Sequence, residues 1–321
     1  MMTTTPSSPP GPVLEAASSF THPTTSRPFH GVRRSSKWVI PMAPAVVLLS
    51  VFVVLPIGYS IYISFTNTRL TGVEARNPSW IGLDNFRRLI DSGDLTNSVV
   101  LTLIFVVCSA LIGQNLLGLT LALMLERRNK FLRGLVVISV LSAYVLPEIV
   151  PGFMWTSFLA PDGAANQLFN LVGLPDQQLL IDNPMVAVVG ADIWRATAFS
   201  MLIYTAALGD IDRELIDAAR VDGASYFRTL WHVKLPLLRH TVFTTLMLIT
   251  LPTLSVFTMI FALTGGGPGD RSETLPLLMY NQAFRLQELS YGTAISLVLL
   301  LIGGLLSVGY VLTLRPERTH Q

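Results

Sequence analysis

Residues 291–314 read YGTAISLVLLLIGGLLSVGYVLTL, an apolar run that contains no charged side chain. The hydrocarbon core of a bilayer is about 30 Å thick, and a helix of about 20 apolar residues crosses it. Five further apolar runs precede this one, and polar residues interrupt the third and fourth of them: 39–65, 98–125, 135–159, 184–208 and 241–263. The sequence therefore predicts an all-α membrane protein with six transmembrane helices.

The composition supports this class and argues against several others. Of the 321 residues, 51% are hydrophobic and 13% are charged, whereas a soluble domain has about 25% charged residues. The formal net charge of +2 gives no indication of a nucleic-acid partner. The single cysteine, Cys108, lies in an apolar run and is interpreted as a packing residue. Because the sequence contains no H-E-x-x-H, G-x-S-x-G or paired Cys/His pattern, no metal ligand and no catalytic residue is predicted.

The distribution of Lys and Arg predicts the orientation in the membrane. Fifteen of these residues lie in the N-terminal segment, the 126–134 and 209–240 loops and the C-terminus, and six lie in the loops of the other side. Cytoplasmic loops carry the excess of positive charge. Both termini are therefore predicted to be cytoplasmic.

The chain is predicted to have four parts. Residues 1–37, rich in Pro, Ser and Thr, form a disordered cytoplasmic tail, and a secretory signal is the alternative interpretation there. Residues 38–95 contain the first transmembrane helix and an external loop. Residues 96–314 contain the other five helices, and residues 315–321 form a second cytoplasmic tail.

The 209–240 loop is long for a helix connection and is predicted to contain two short helices. Asp212 can cap the first helix, and Gly223 can end it in the left-handed conformation. Ser225 can begin the second helix, and Pro236 is expected to end it before the fifth apolar run. The first helix has two interpretations: a solvated amphipathic helix with internal ion pairs, or an acidic helix that docks into a basic groove of a cytoplasmic partner.

Within this loop, Asp217-Ala-Ala is followed by Gly223 and by the Leu-Pro pair that ends at Pro236. This pattern resembles the EAA loop of the permease subunits of binding-protein-dependent ABC importers. Asp217 stands where the family usually has Glu, a change that shortens the side chain by one methylene. LTGGGP at 263–268, together with the Trp80–Phe86 segment of the first external loop, resembles the carbohydrate-uptake branch of the family, the maltose and glycerol 3-phosphate type of permease.

The resemblance implies a type I ABC importer permease fold, with a cytoplasmic coupling helix in the EAA loop, in the bacterial plasma membrane. Besides membrane lipid, it implies a second homologous permease, a dimer of cytoplasmic ATPase subunits, an external solute-binding protein and a sugar substrate as partners. No cofactor is expected in this chain, which contains no P-loop; ATP and Mg would be bound by the partner ATPase. The residues expected to couple to the ATPase are Glu214, Asp217, Ala218, Ala219, Asp222 and Gly223.

Three ionisable residues are predicted to lie within the membrane, where such residues are costly and often functional. Asp192 and Arg195 are three residues apart, so they can form a structural ion pair or contact the solute. Glu148, near two prolines, can lie at the outer interface or reach the translocation cavity. With the positions that the resemblance places on the cavity faces of two helices, the candidate pathway residues are Glu148, Asp192, Arg195, Ala196, Phe199, Ile249, Pro252, Thr253 and Val256.

Other functions remain open from the sequence. Glycerol 3-phosphate or a glycerophosphodiester is the alternative solute, but a phosphate calls for cationic side chains, and Arg195 is the one available in the predicted helices. An ion-coupled secondary carrier could use Glu148, Asp192 and Arg195 as its coupling site. A purely structural membrane subunit is a further alternative. Neither the carrier nor the structural subunit explains the EAA-like loop.

Overall fold

The computed structural model describes residues 39–126 and 128–313, which form helices joined by loops. The tails predicted at residues 1–37 and 315–321 lie outside this described part of the chain. The described part of the chain divides after Val53, within the first long helix.

That first helix, α1 (Met42–Ser64), contains a widened π turn at Ser50–Val54. Large apolar side chains in it, among them Phe52, are exposed. A helix that is apolar all round, with no polar face to present to water, suits a lipid environment. The observed helix agrees with the first predicted apolar run.

Eleven further helices of six or more residues follow in the described part of the chain. In order they are α2 (Asp84–Asp91), α3 (Asp94–Leu125), α4 (Lys130–Val145), α5 (Ile149–Phe158), α6 (Ala164–Leu171), α7 (Pro184–Gly209), α8 (Arg213–Val221), α9 (Tyr226–Leu254), α10 (Thr258–Leu263), α11 (Leu275–Tyr280) and α12 (Leu289–Thr313). Helices α1, α3, α7, α9 and α12 are each long and apolar enough to cross a membrane, and the bent pair α4 and α5 makes a sixth crossing if the two helices together form one span.

The third apolar run, predicted as one helix over 135–159, is broken. Helices α4 and α5 meet at an angle of 107°. Pro147 disfavours helical backbone at the residue before it, and Leu146 is accordingly extended, with φ −61° and ψ 136°. The prediction of a continuous helix here was wrong, and the break places Glu148 immediately before α5.

The fifth segment also differs from its prediction. Helix α9 begins at Tyr226, continues through Pro236 and ends at Leu254, so the expectation that Pro236 ends a separate helix was wrong. A π turn at Leu230–Lys234 already widens the helix there, and Pro236 occupies the first turn of the α-helical stretch that follows. Proline has no backbone N–H to donate, and this lack costs little stability in the first turn of an α-helical stretch. The residues expected at the end of the segment form the separate helix α10.

Helix α7 is the most buried of the membrane-crossing helices and packs against α3, α4 and α9. Small residues allow the close approach to α3. A Cβ at Gly118 would lie 2.8 Å from the backbone nitrogen of Met201, so only glycine fits there. Close backbone contact through small residues is the usual way in which membrane helices associate.

The first external loop is tied to the start of α12. The side-chain amide of Asn85 donates to the carbonyl oxygens of Ser64 and Thr66, at 2.8 and 2.9 Å. Ser290, in the first turn of α12, donates its backbone N–H to the carbonyl oxygen of Thr68 at 3.0 Å. These bonds give the Trp80–Phe86 motif a structural role, because its asparagine closes the loop.

The glycine-rich segment after α10 forms a turn. Gly265, Gly266 and Gly269 have φ angles of 60°, 94° and 61°, which favour glycine. The hydroxyls of Thr264 and Ser272 lie 2.8 Å apart across the turn. The LTGGGP motif therefore shapes the chain between α10 and α11.

Candidate functional sites

A cavity of about 220 Å³ lies between α7 and α9 and is also lined by residues of α3, of α4 and of the α4–α5 break. Its lining combines one cation, one carboxylate, two aromatic rings and a mostly apolar wall. The lining residues are Gln114, Tyr144, Glu148, Arg195, Ala196, Phe199, Leu248, Ile249, Pro252, Thr253 and Val256.

The structure brings together most of the pathway residues proposed from the sequence. Eight of the nine line this cavity, and Asp192 lies buried behind it. Sequence reasoning missed three lining residues: Gln114, Tyr144 and Leu248. A polar residue inside an apolar run was the available signal for Gln114, whereas the other two depend on how the helices pack.

Asp192 organises a polar network behind the cavity wall. Its Oδ2 atom accepts hydrogen bonds from Ser109 Oγ at 2.5 Å and from Gln114 Nε2 at 2.9 Å. Gln114 Nε2 also donates to Ser109 Oγ at 3.0 Å. The network joins α3 to α7 and holds the carboxylate in one position.

Arg195 connects this network to the cavity. Its Nη2 atom donates to Glu148 Oε1 at 3.0 Å and lies 3.8 Å from Asp192 Oδ1. Glu148 lines this cavity, and its place in a solute pathway stays a prediction. Within the described chain, Arg195 Nε and Asp192 Oδ1 are buried without a hydrogen-bond partner. Buried polar groups of this kind are costly in structure and often mark functional sites.

An aromatic pair forms another part of the wall. The rings of Tyr144 and Phe199 have centroids 6.1 Å apart and planes inclined by 23°. Tyr144 lies in the last turn of α4 and Phe199 in the middle of α7. The cavity thus offers flat apolar faces as well as charged hydrogen-bonding groups.

The second site is the loop between α7 and α9, which contains α8. The six residues expected to couple to an ATPase lie on α8 or its C-terminal turn, and all but the half-buried Ala219 are exposed. Asp217 pairs with Arg220 at 2.8 Å on the same helix. Their role in coupling stays a prediction, while their exposure leaves this surface accessible.

Caps define both ends of this loop as the sequence predicts. Asp212 Oδ1 accepts from the backbone N–H of Glu214 at 3.0 Å. Gly223 has φ 76°, and the following N–H, of Ala224, donates to the carbonyl of Ala219 at 2.9 Å. Ser225 then caps the start of α9.

An ion pair between a buried lysine and a partly exposed carboxylate joins the base of α9 to the end of α3. Lys234, whose side chain is 3% exposed, donates to both carboxylate oxygens of Glu126 at 2.6 Å. The sequence places Glu126 at the inner end of the second apolar run and Lys234 among the basic residues of the 209–240 loop, but nothing in it predicts that the two pair. Elsewhere, no group of three or more potential metal ligands occurs among the described residues.

Residues 114–316 match the family described as binding-protein-dependent transport system inner membrane component. The matched range includes the α3, α7 and α9 walls of the cavity and the α8 loop. The chain belongs to this family. It is a membrane-embedded permease subunit of a transport system and not an enzyme.

Named relatives agree with this assignment. The chain is similar to the trehalose/maltose transport system permease protein MalF of Thermococcus litoralis, with 30% identity over 83% of this chain and 89% of that protein. It is also similar to the sn-glycerol-3-phosphate transport system permease protein UgpA of Agrobacterium fabrum, with 30% identity over 81% and 88% of the two chains.

A solved structure shows the same fold. One chain of a bacterial ABC transporter involved in the import of the acidic polysaccharide alginate matches with a TM-score of 0.73, at 20% identity, over 89% of this chain and 97% of that one. The architecture is therefore the type I ABC importer permease fold.

Proposed function

We propose that this chain forms one half of the translocation pathway of an ATP-driven sugar importer. The observation that carries the proposal is the cavity between α7 and α9, which Tyr144 and Phe199 line together with Glu148 and Arg195. A sugar has apolar C–H faces and polar hydroxyl edges. Flat rings suit the faces, and charged hydrogen-bonding groups suit the hydroxyls.

The alternative solute is glycerol 3-phosphate or a glycerophosphodiester. One relative is named for trehalose and maltose and another for sn-glycerol 3-phosphate, so the relatives support both classes. A phosphate needs a free cationic partner. Arg195, the one cationic side chain that the described residues contribute to this cavity, already bonds to Glu148. This favours a sugar.

The proposed assembly contains a second homologous permease, two cytoplasmic ATPase subunits that bind ATP and Mg, and an external solute-binding protein. The family is binding-protein-dependent, which supports the last of these and speaks against an ion-coupled carrier. The exposed surface of α8 supports contact with a cytoplasmic subunit. The bias of Lys and Arg supports the proposal that α8 and both termini lie on the cytoplasmic face of a bacterial plasma membrane.

The proposed mechanism is alternating access driven through α8. This helix lies between the end of α7 at Gly209 and the start of α9 at Tyr226, and α7 and α9 are the two main walls of the cavity. Closure of the ATPase dimer would move α8 as a rigid lever and turn the cavity outward, and hydrolysis would reset it. The solute biases the cycle only through its different affinities for the two states.

The test is affinity purification of the full chain from its native membranes in mild detergent, followed by identification of the proteins that co-purify. We expect a P-loop ATPase, a second permease and a solute-binding protein. The solute-binding protein is then screened against neutral sugars and against glycerol 3-phosphate. Recovery of the chain alone, under conditions that keep another importer complex intact, contradicts the assembly. Binding of glycerol 3-phosphate and of no sugar contradicts the substrate class.

A further inference from the structure

The wall that this chain contributes to the cavity carries more negative than positive charge. Among the described lining residues, Arg195 is the one cation and Glu148 the one carboxylate, and Asp192 adds a second carboxylate behind Arg195. Two carboxylates therefore flank a single guanidinium. We infer that this wall discriminates against anionic solutes and that Glu148 sets the preference. The inference rests on the proposed function in taking this cavity as the solute pathway.

The guanidinium of Arg195 already has two carboxylates beside it. Its Nη2 atom lies 3.0 Å from Glu148 Oε1 and 3.8 Å from Asp192 Oδ1. Asp192 accepts hydrogen bonds from Ser109 and Gln114, and these bonds hold its carboxylate beside Arg195. An anion that reached Arg195 would have to displace Glu148 or share the guanidinium with two carboxylates. Both are unfavourable where little water screens the charges.

Glu148 is the carboxylate that a solute meets first. Its side chain is 35% exposed, whereas that of Asp192 is 1% exposed. The bond to Arg195 uses only part of its capacity, because an ionised carboxylate can accept about four hydrogen bonds. Hydroxyl and ammonium groups can donate to the remaining positions. Neutral sugars and amino sugars are therefore accepted, and sugars with a carboxylate, sulfonate or phosphate are disfavoured.

The charge preference can be measured without knowing the solute. Cys108 is the only cysteine of the chain, so Cys108→Ser provides a background for single reporters. Leu248→Cys and Tyr144→Cys place a thiol on the cavity wall at residues that are 45% and 39% exposed. Leu171→Cys, at a residue that is 81% exposed and outside the cavity, is the matched control. The probes are the cationic aminoethyl and the anionic sulfonatoethyl methanethiosulfonates.

We expect the cationic reagent to modify the cavity reporters about tenfold faster than the anionic one, after division by the same ratio at Leu171→Cys. Glu148→Gln removes the charge and brings the normalised ratio to one or below. Glu148→Asp keeps the charge and keeps the preference. An effect that came only from altered packing would not follow the charge in this way.

Three results would overturn the inference. The first is an equal or faster reaction of the anionic reagent with the cavity reporters of the otherwise native chain. The second is an unchanged ratio in Glu148→Gln. The third is no reaction of either reporter with either reagent, because a solute pathway admits molecules of this size. Failure of the proposed assembly appears separately, in the co-purification, and does not alter the ratio of rates.

Discussion

Two Asp–Arg pairs with the same spacing occupy opposite environments in this protein. Asp217 and Arg220 lie on α8 with side chains that are 64% and 57% exposed, whereas Asp192 and Arg195 lie on α7 with side chains that are 1% and 12% exposed. The exposed pair is the closer one, at 2.8 Å against 3.8 Å. Burial, and not distance, decides how much such a pair matters for stability. Water screens the charges of an exposed pair, whereas a buried charge is stabilised only by its partners in the protein.

The buried pair is also part of a larger group, whereas the exposed pair is local to its helix. Arg195 bonds more closely to Glu148, which lies 47 residues away in the sequence, than to Asp192. Loss of Arg195 therefore affects two carboxylates on two elements. Loss of Arg220 affects one carboxylate that water can solvate. Changes at four places in the structure, taken from the largest expected effect on stability to the smallest, test this difference.

Arg195→Gln is expected to have the largest effect on stability. It leaves Glu148 and the buried Asp192 without a cation, and removal of one member of a buried pair costs about 3–5 kcal/mol. Thermal unfolding of the protein purified in detergent measures the loss. As a control, Asp192→Asn in the Arg195→Gln background is expected to recover part of it. An unfolding temperature equal to that of the native chain would contradict the comparison.

Lys234→Met is expected to have an intermediate effect. The lysine is buried, but its partner Glu126 is 25% exposed and can be partly solvated once the lysine is gone. We expect a loss of about 2 kcal/mol, as for a hydrogen bond to a charged group. A double-mutant cycle with Glu126→Gln isolates the interaction of the two side chains. A coupling energy of zero would show that the pair is no stronger than an exposed one.

Glu273, in the loop after α10, provides a buried carboxylate that bonds to an amide. It is 8% exposed and accepts a hydrogen bond from Asn281 Nδ2 at 2.5 Å. Burial raises the pKa of this carboxyl above its usual value, against the opposing effect of that hydrogen bond. The folded protein therefore holds the proton more tightly than the unfolded chain, and the contribution of Glu273 to stability is lost as the pH rises through the raised pKa.

The corresponding measurement is the unfolding temperature from about pH 4 to about pH 7. Glu273→Gln is expected to remove the part of the pH dependence that comes from this group, because an amide does not titrate in this range. The expected change is smaller than that of Lys234→Met, since no charged partner is left behind. Identical pH profiles for the native and variant proteins would contradict the assignment.

The exposed pair on α8 is expected to matter least for stability and most for coupling. Arg220→Ala should change the free energy of unfolding by at most about 0.5 kcal/mol. Asp217→Lys should be equally well tolerated in the membrane but should abolish solute uptake, because it reverses a charge on the surface expected to contact the ATPase. Asp217→Glu, which restores the residue usual in EAA loops, is the control. Normal uptake by Asp217→Lys would refute the coupling role.

Hydropathy and capping residues made much of the architecture predictable. The apolar runs correspond to α1, α3, α7, α9 and α12 and to the α4–α5 pair, because membrane thickness requires such runs. Asp212, Gly223 and Ser225 act locally, and each has the predicted role at the ends of α8 and α9. Pro147 and Pro236 show where such reasoning fails. Pro147 breaks a helix, because the residue before it is extended. Pro236 does not, because it follows a π turn and lies in the first turn of the α-helical stretch after it.

The cavity was only partly predictable. The resemblance placed Ala196 and Phe199 on one face of the fourth segment and Ile249 and Val256 on one face of the fifth, and all four line the cavity. Val256, however, lies in the break after α9 and not on the helix itself. Tyr144 could not be assigned to the cavity in this way, because its position depends on the bend after α4. The buried partnership of Lys234 with Glu126 likewise depends on the packing of two distant helices.

By itself, the sequence determined the membrane-spanning character of the chain, the approximate limits of its long helices, and the capping residues at the ends of α8 and at the start of α9. These features depend on composition and on neighbours within a few residues. The tertiary structure alone decided that Glu148 faces the cavity and bonds to Arg195. It also showed that Asp192 is closed off behind that pair. The reason is geometric: the bend of 107° between α4 and α5 brings distant residues together, and no local pattern encodes where the chain goes after it turns.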